Sequence, residues 1–273
     1  MTIIDIAATQ ARIIKELDVL HTFDAETEYN ARVDFLVNYA RTAKLKAFVL
    51  GISGGVDSLV TGLLAQEAAT RLRKEGIRAR FIAVRLPYGT QRDEADAQAC
   101  LDFIKPDDIL TVDIKPATDA MAQAIGYMGP NMDFHVGNIK ARQRMIAQYA
   151  IAAEAGGVVI GTDHSAEALM GFYTKFGDGA ADVIPLAGLN KRRVRALGTN
   201  MGAPDFLVFK TPTADLESEN PGLPDEDAFG VTYDEIDDFL EGKQIDPDAA
   251  LHIIETYEKS AHKRALPAAP VNN

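Results

Sequence analysis

The chain has 273 residues, 47% hydrophobic and 25% charged, a balance that fits one soluble globular α/β domain with terminal extensions and excludes a membrane span, since no apolar run approaches the roughly 20 residues that cross a bilayer. A formal net charge of -12 excludes a general nucleic-acid binder, because phosphate contacts need basic surface, although nucleotides remain open if basic residues gather locally. The single cysteine, Cys100, excludes intramolecular disulfides and any multi-cysteine metal centre.

Two amphipathic helices are predicted first, over Asp5–Leu20 and from Asp24 to about Thr42, the second with Asp24 as its N-cap and acids in its first turn. The early charges Arg12, Lys15, Glu16 and Asp18 interrupt any secretion-signal core, so cytoplasmic residence is expected. Lys46–Ser53 is a short apolar run typical of a buried parallel strand, followed at once by a helix over Asp57–Lys74 and a second run, Ala79–Pro87. The alternation continues with a helix Glu94–Ile104, a strand Ile109–Ile114, helices Thr118–Ile125 and Asn138–Ala155, and a strand Gly157–Thr162. Repeated βα units predict a doubly wound parallel sheet with helices on both faces, whose ligands bind beyond the carboxyl ends of the strands. Cys100 lies at helical spacing among apolar residues and reads as packing.

The chain end differs in character. Between Asp215 and Glu258 fifteen acids face one base, Lys243, with Pro221, Gly222 and Pro224 breaking regular structure. That predicts a solvated or mobile segment followed by helices at Asp234–Glu241 and Pro247–His262, its charge lying away from the basic residues that would hold anions.

The richest motif is Gly51-Ile-Ser-Gly-Gly-Val-Asp-Ser58, between strand and helix. Adjacent glycines let a ligand approach the backbone, and the N–H groups of a helix start favour an anion. Ser53 and Ser58 add hydroxyls, and Asp57 can hold a hard cation such as Mg²⁺ against phosphate oxygens. No Gly-Lys-Ser/Thr is present, so this is not a Walker loop. Two other readings fit part of the motif. Gly51-Ile-Ser-Gly-Gly55 also satisfies Gly-x-Ser-x-Gly, which would make Ser53 the nucleophile of an α/β-hydrolase with His164, His252 or His262 as partner, but leaves Asp57 and Ser58 unexplained. A non-catalytic nucleotide-binding module would need the loop alone.

The Ser-Gly-Gly-Val-Asp-Ser string resembles the loop of the N-type ATP pyrophosphatases, with the adenine nucleotide alpha hydrolase-like fold. Further stretches narrow the resemblance to ammonia-dependent NAD synthetases: Phe81 to Gln91, Gly137 to Tyr149, Gly161-Thr-Asp-His-Ser-Ala-Glu167, Gly171 to Asp182, Lys210 to Leu216, Tyr233 to Lys243 and His262-Lys-Arg264. The resemblance implies a single domain with a helical extension over 1–45, a nucleotide-binding core over 46–214 and an acidic segment with helices over 215–273. It implies amidation of deamido-NAD with ammonia, ATP being the co-substrate and Mg²⁺ the cofactor, through an adenylated nicotinate carboxylate, in a homodimer. ATP is assigned to Gly51, Ile52, Ser53, Gly54, Gly55, Val56, Asp57, Ser58, Arg85, Gln91, Thr162, Lys191 and Thr213. Deamido-NAD is assigned to Arg142, Lys175, Asp182, His262 and Lys263, and the metal to Asp57 and Glu167. Lys191 would stabilise transferred charge, and Asp178 would anchor ammonium or take its proton. Val56 stands where relatives often carry Gln, a tolerable change if the backbone N–H is what matters there. The tail Leu266-Pro-Ala-Ala-Pro-Val-Asn-Asn lacks the aromatic, acidic ending common in the family. With no room for a glutaminase domain, free ammonia is the expected nitrogen donor.

Overall fold

A computed structural model describes residues 5–90, 94–127, 129–214 and 223–270. Gln91, and the stretch 215–222 expected to be solvated or mobile, lie outside the described residues.

Helices α1 (Ile6–Glu16) and α2 (Ala25–Ala43) lead into strand β1 (Ala47–Gly51), helix α3 (Val56–Lys74) and strand β2 (Arg80–Arg85). Asp24 caps α2 as expected, its side chain accepting from the Thr27 N–H, with Glu26 and Glu28 in the first turn. Then follow α4 (Glu94–Ile104), β3 (Asp108–Thr111), α5 (Lys115–Ile125), α6 (Met132–Ala155) and β4 (Gly157–Val159). Helices α7 (Ser165–Met170), α8 (Lys191–Asn200) and α9 (Asp205–Val208) precede a small hairpin, β5 (Thr213–Ala214) and β6 (Leu223–Pro224). The chain closes with α10 (Asp225–Phe229), α11 (Tyr233–Leu240), α12 (Pro247–Lys259) and α13 (Ala261–Arg264).

The four main strands form one parallel sheet in the order β3-β2-β1-β4. Because β1 leads outward to β2 and β3 on one side and meets β4 on the other, the sheet is doubly wound, and the switch point lies beside the carboxyl end of β1. Strand alternation sorts the side chains onto the two faces. Phe48, Leu50, Phe81 and Ala83 point into a core shared with α2, α3 and α8, whereas Val49, Ile82, Val84 and Val159 pack with Ala152 on the α6 side. A Cβ on Gly157 would come within 2.3 Å of the Ala47 carbonyl oxygen, so only glycine lets β4 meet β1 this closely. The terminal helices build a third core, in which Ile13 of α1 joins Phe239, Ile253 and Leu169.

Several predicted boundaries shift. The strand expected over Ile109–Ile114 is the short edge strand β3, where Ile109 is 50% exposed because only β2 flanks it. Helix α5 starts at Lys115, three residues before the predicted start, with Pro116 in its first turn, where the missing N–H costs nothing. The strand expected to reach Thr162 ends as β4, and Ile160 makes an isolated parallel bridge to Val183, beyond any predicted strand. The break at Ser260 divides the last helix into α12 and α13. Residues 225–229, within the region read as solvated, instead form α10 with Asp225 and Phe229 buried.

Cys100 is fully buried in α4, where desolvation pushes its thiol up to about 11. Native protein at pH 8 is therefore expected to resist iodoacetamide and to take up one equivalent after denaturation, as read by intact-mass spectrometry. Native labelling as fast as that of the unfolded chain would contradict the packing role.

Candidate active site

The main cleft opens at the carboxyl ends of β1, β2 and β4 and has a volume of about 460 Å³. Its floor is the loop between β1 and α3. Gly54 adopts φ +90 there, and a Cβ at this position would lie 2.8 Å from the Ala97 backbone nitrogen, so the loop needs glycine for both conformation and space. Gly55 is the N-cap of α3 and supplies no side-chain cap, leaving the first-turn N–H groups directed at the cleft mouth without a side-chain acceptor. Ser58 Oγ donates to the Gly55 carbonyl at 3.0 Å and lies 3.2 Å from Ser53 Oγ, which holds the turn in shape. Gly54→Ala is expected to raise the ATP KM about tenfold, the effect of ~1.4 kcal/mol of loop strain. Isothermal titration with ATP and a thermal melt check it: unchanged affinity would mean that the loop does not carry the nucleotide.

The residues expected to hold ATP largely converge. Gly51, Ile52, Ser53, Gly55, Val56, Asp57, Ser58, Arg85, Thr162 and Lys191 line the cleft, and Gly54 supports it from behind. Arg85 is almost completely buried; it donates to the Ile52 carbonyl and, at 2.7 Å, to Glu94 Oε2, bracing the loop against α4. Thr213 falls in β5, which pairs with β6.

At the inner end sits a charged cluster. Lys191, 1% exposed, donates from Nζ to Asp57 Oδ2 at 2.7 Å. His164 Nε2 lies 3.4 Å from Asp57 Oδ1 and 3.8 Å from Glu167 Oε2. Burial disfavours charge on every member, but Lys191 and His164 hold the Asp57 carboxyl well below its ordinary range. Burial, with Asp57 nearby, pushes Glu167 up to about 8. His164 and Lys191 are both raised, their own desolvation being outweighed by these acids.

The position of Lys191 depends on the acidic segment. Asn190 caps α8, accepting from the Arg193 N–H at 3.0 Å, and Asp237 accepts from the Lys191 and Arg192 N–H groups at 3.0 and 2.7 Å. Arg192 meets Asp234, Asp238 and Glu241, and Asp225, bonded by Tyr233 Oη at 2.9 Å, lines the cleft. The expectation that this segment keeps its charge away from the anion-holding bases is therefore corrected: it packs onto α8 and fixes Lys191 in place, because a buried lysine and a helix N-terminus both call for anions.

The remaining expected residues lie toward the rim. Asp178 lines the cleft and accepts from the Thr174 N–H at 3.0 Å. Lys263 lines it too, its ammonium held by the Gly171 and Tyr173 carbonyls at 2.7 Å each. Arg142 and Lys175 stand behind it, Arg142 donating to the Lys175 carbonyl at 3.2 Å and Lys175 to the His262 carbonyl at 2.6 Å. Asp182 sits apart, its Oδ2 accepting from the Val159 N–H at 2.8 Å at the sheet margin. Sequence reading did not select Gln148, whose Oε1 accepts from the Gly51 N–H at 2.8 Å, or Arg144, Lys210 and Asp225 on the cleft wall. In the sequence His164 stands out only as a hydrolase partner, although its spacing from Glu167 places both at one helix start. Ser53 Oγ meets Ser58 and the Gly55 N–H, while His164 faces Asp57 and His252 meets the Phe229 carbonyl, so the nucleophilic-serine alternative gains no support.

Parallel sheet, switch-point cleft and strand-glycine loop-helix define the class, a doubly wound α/β protein of the adenine nucleotide alpha hydrolase type. Residues 28–267 match the NAD synthase family. The chain is 58% identical over 269 residues to an NH(3)-dependent NAD(+) synthetase of Burkholderia pseudomallei, covering 96% of this chain and 95% of that one. The crystal structure of NAD+ synthetase from Burkholderia pseudomallei superposes with a TM-score of 0.84 at 56% identity, covering 96% of this chain and 98% of the other. That of NMN synthetase from Francisella tularensis does so with a TM-score of 0.80 at 36% identity, covering 91% and 99%. The chain belongs to the NAD synthase family.

Proposed function

We propose that the chain amidates deamido-NAD to NAD with ammonia and ATP, releasing AMP and pyrophosphate. The observation that carries this reading is the convergence of the Ser53–Ser58 loop, Asp57, Glu167 and Lys191 on one cleft. The 58% identity to an NH(3)-dependent NAD(+) synthetase supports the same activity.

The chemistry runs in two steps. The nicotinate carboxylate attacks the α-phosphorus of ATP, forming the acyl-adenylate and expelling pyrophosphate. Ammonia then adds to the acyl carbon, and AMP leaves. In the first step the loop N–H groups and the Ser53 hydroxyl bind the leaving oxygens, Ser58 shapes the turn by donating to the Gly55 carbonyl, and Lys191 stabilises charge building there. Arg85 holds the loop against relaxation. Thr162 and Thr213 complete the ATP contacts in this reading, with Gln91.

Magnesium fits the residues present, because Asp57 Oδ1 is buried without a hydrogen bond and Glu167 Oε2 lies close by, an oxygen pair suited to a hard cation. When bound, Mg²⁺ neutralises the polyphosphate and the growing charge on pyrophosphate. Asp57 and Glu167 would hold it.

Deamido-NAD takes the rim: Lys263 faces the cleft, and Arg142, Lys175 and His262 form the connected basic margin behind it. Asp182 would serve the ribose from the sheet margin. Asp178 binds ammonium and accepts its proton before attack. A cytoplasmic homodimer built from one synthetase domain completes the reading, with 46–214 as its core; light scattering tests the dimer. The activity is tested by incubating the protein with deamido-NAD, ATP, Mg²⁺ and ammonium chloride. NAD, AMP and pyrophosphate are expected in equal amounts; ADP as product, or no turnover, would defeat the proposal. Nicotinate mononucleotide is the competing acid to include, since one solved relative is an NMN synthetase. Preferred turnover of the mononucleotide would reassign the substrate and leave the adenylation chemistry standing.

A further inference from the structure

His164 has no task in the chemistry above, yet it is buried beside Asp57 and Glu167, which line the cleft. It is 1% exposed. Its backbone is extended, φ -129 and ψ 171, immediately before α7, so its side chain and that of Glu167 emerge from the same helix start toward Asp57. Its Nδ1 makes no hydrogen bond, and its Nε2 only faces Asp57 Oδ1 at 3.4 Å and Glu167 Oε2 at 3.8 Å, without a well-formed hydrogen bond to either. A buried imidazole met by nothing but two carboxylates calls for an explanation. Asp57 divides its two oxygens: Oδ2 accepts from Lys191, while Oδ1, also buried and without a hydrogen bond, faces His164. One donor atom from each of Asp57, His164 and Glu167 lies within 4.8 Å of the others.

We propose that His164 Nε2 is a third protein donor to the cation held by Asp57 and Glu167, which makes this site receptive to a nitrogen-tolerant divalent ion such as Mn²⁺ as well as to Mg²⁺. The inference rests on the assignment of Asp57 and Glu167 to a metal. A site made only of oxygens suits Mg²⁺ and Ca²⁺, whereas an imidazole among carboxylates suits Mn²⁺ and the later first-row ions. The Lys191 ammonium does not block this arrangement, because it occupies the far oxygen of Asp57.

The test uses the full chain carrying ¹⁵N-labelled histidine, titrated with MnCl₂ with and without ATP and followed by electron paramagnetic resonance. One bound Mn²⁺ per chain is expected, its pulsed spectrum showing ¹⁵N coupling that disappears in His164→Gln. That substitution is expected to weaken Mn²⁺ at least about tenfold, the lower end of the loss when even outer partners of a metal are removed, and to change Mg²⁺ affinity less than threefold. The coupling in the unsubstituted protein decides the matter even if His164→Gln fails to fold. Mn²⁺ that binds without ¹⁵N coupling, and is lost in Asp57→Asn, would overturn the role of His164 while leaving Asp57 and Glu167 as ligands; His164 would then be a counter-charge to two acids. Mn²⁺ binding insensitive to Asp57→Asn, or no binding at all, would overturn both assignments.

Discussion

Lys191→Met is expected to remove pyrophosphate release and NAD formation together, lowering kcat/KM by at least about a thousandfold. The reason is position: the ammonium is buried, fixed by Asp57 and delivered by a helix start whose N–H groups are bonded to Asp237. Methionine keeps the length and apolar stem but strands Asp57, and breaking a buried pair by removing one partner costs about 3–5 kcal/mol. Lower activity alone would therefore be ambiguous. The double variant Lys191→Met with Asp57→Asn removes the stranded charge, so its thermal stability is expected to recover most of the loss, although its activity does not report on Lys191 because Asp57 is itself proposed to hold the metal. Pyrophosphate release by Lys191→Met, measured well below its melting temperature, reads the catalytic loss: an unchanged rate in the folded variant would show that Lys191 only serves the fold.

Asp178→Asn is expected to split the reaction. Asparagine can still accept from the Thr174 N–H through its own oxygen, so the turn that Asp178 closes at 3.0 Å is kept. It cannot take a proton or balance an ammonium charge. Pyrophosphate release should persist within about threefold, while amide formation falls by about 10²–10⁴, the usual span for losing a general base. Rapid-quench sampling for acyl-adenylate and NAD reads both steps. An equal fall in the two would remove Asp178 from ammonia chemistry.

These expectations rest on features of unequal legibility. The β1, loop and α3 unit could be read directly because a buried strand is a bare apolar run, and the glycines then mark where backbone must approach a ligand. The facing of the β1 side chains could not be read, because a continuous apolar run shows no alternation: the structure sends Phe48 and Leu50 to one core and Val49 to the other. The short helices α7 and α10 span less than two turns and carry too little periodicity to announce themselves. The acidic segment misled for a physical reason. Clustered acids usually stay in water, but here Asp237 and Asp225 are buried, Asp237 supporting the α8 N-terminus and Asp225 the cleft wall beside Lys191. Nothing local distinguishes such acids from solvated ones; the distinction comes from α8, more than thirty residues earlier in the chain. Gln148 was hidden likewise, since its neighbour Gly51 lies in a different strand-helix unit.

Transfer of the carboxylate oxygen tests the central claim most directly. Deamido-NAD carrying ¹⁸O in its nicotinate carboxylate is turned over with ATP, Mg²⁺ and ammonium, and the products are weighed by mass spectrometry. Attack of that carboxylate on the α-phosphorus predicts one ¹⁸O in the phosphate of AMP for each NAD formed, with none in pyrophosphate. Unlabelled AMP, or label appearing in inorganic phosphate beside ADP, would contradict adenylation and with it the function proposed for the cleft.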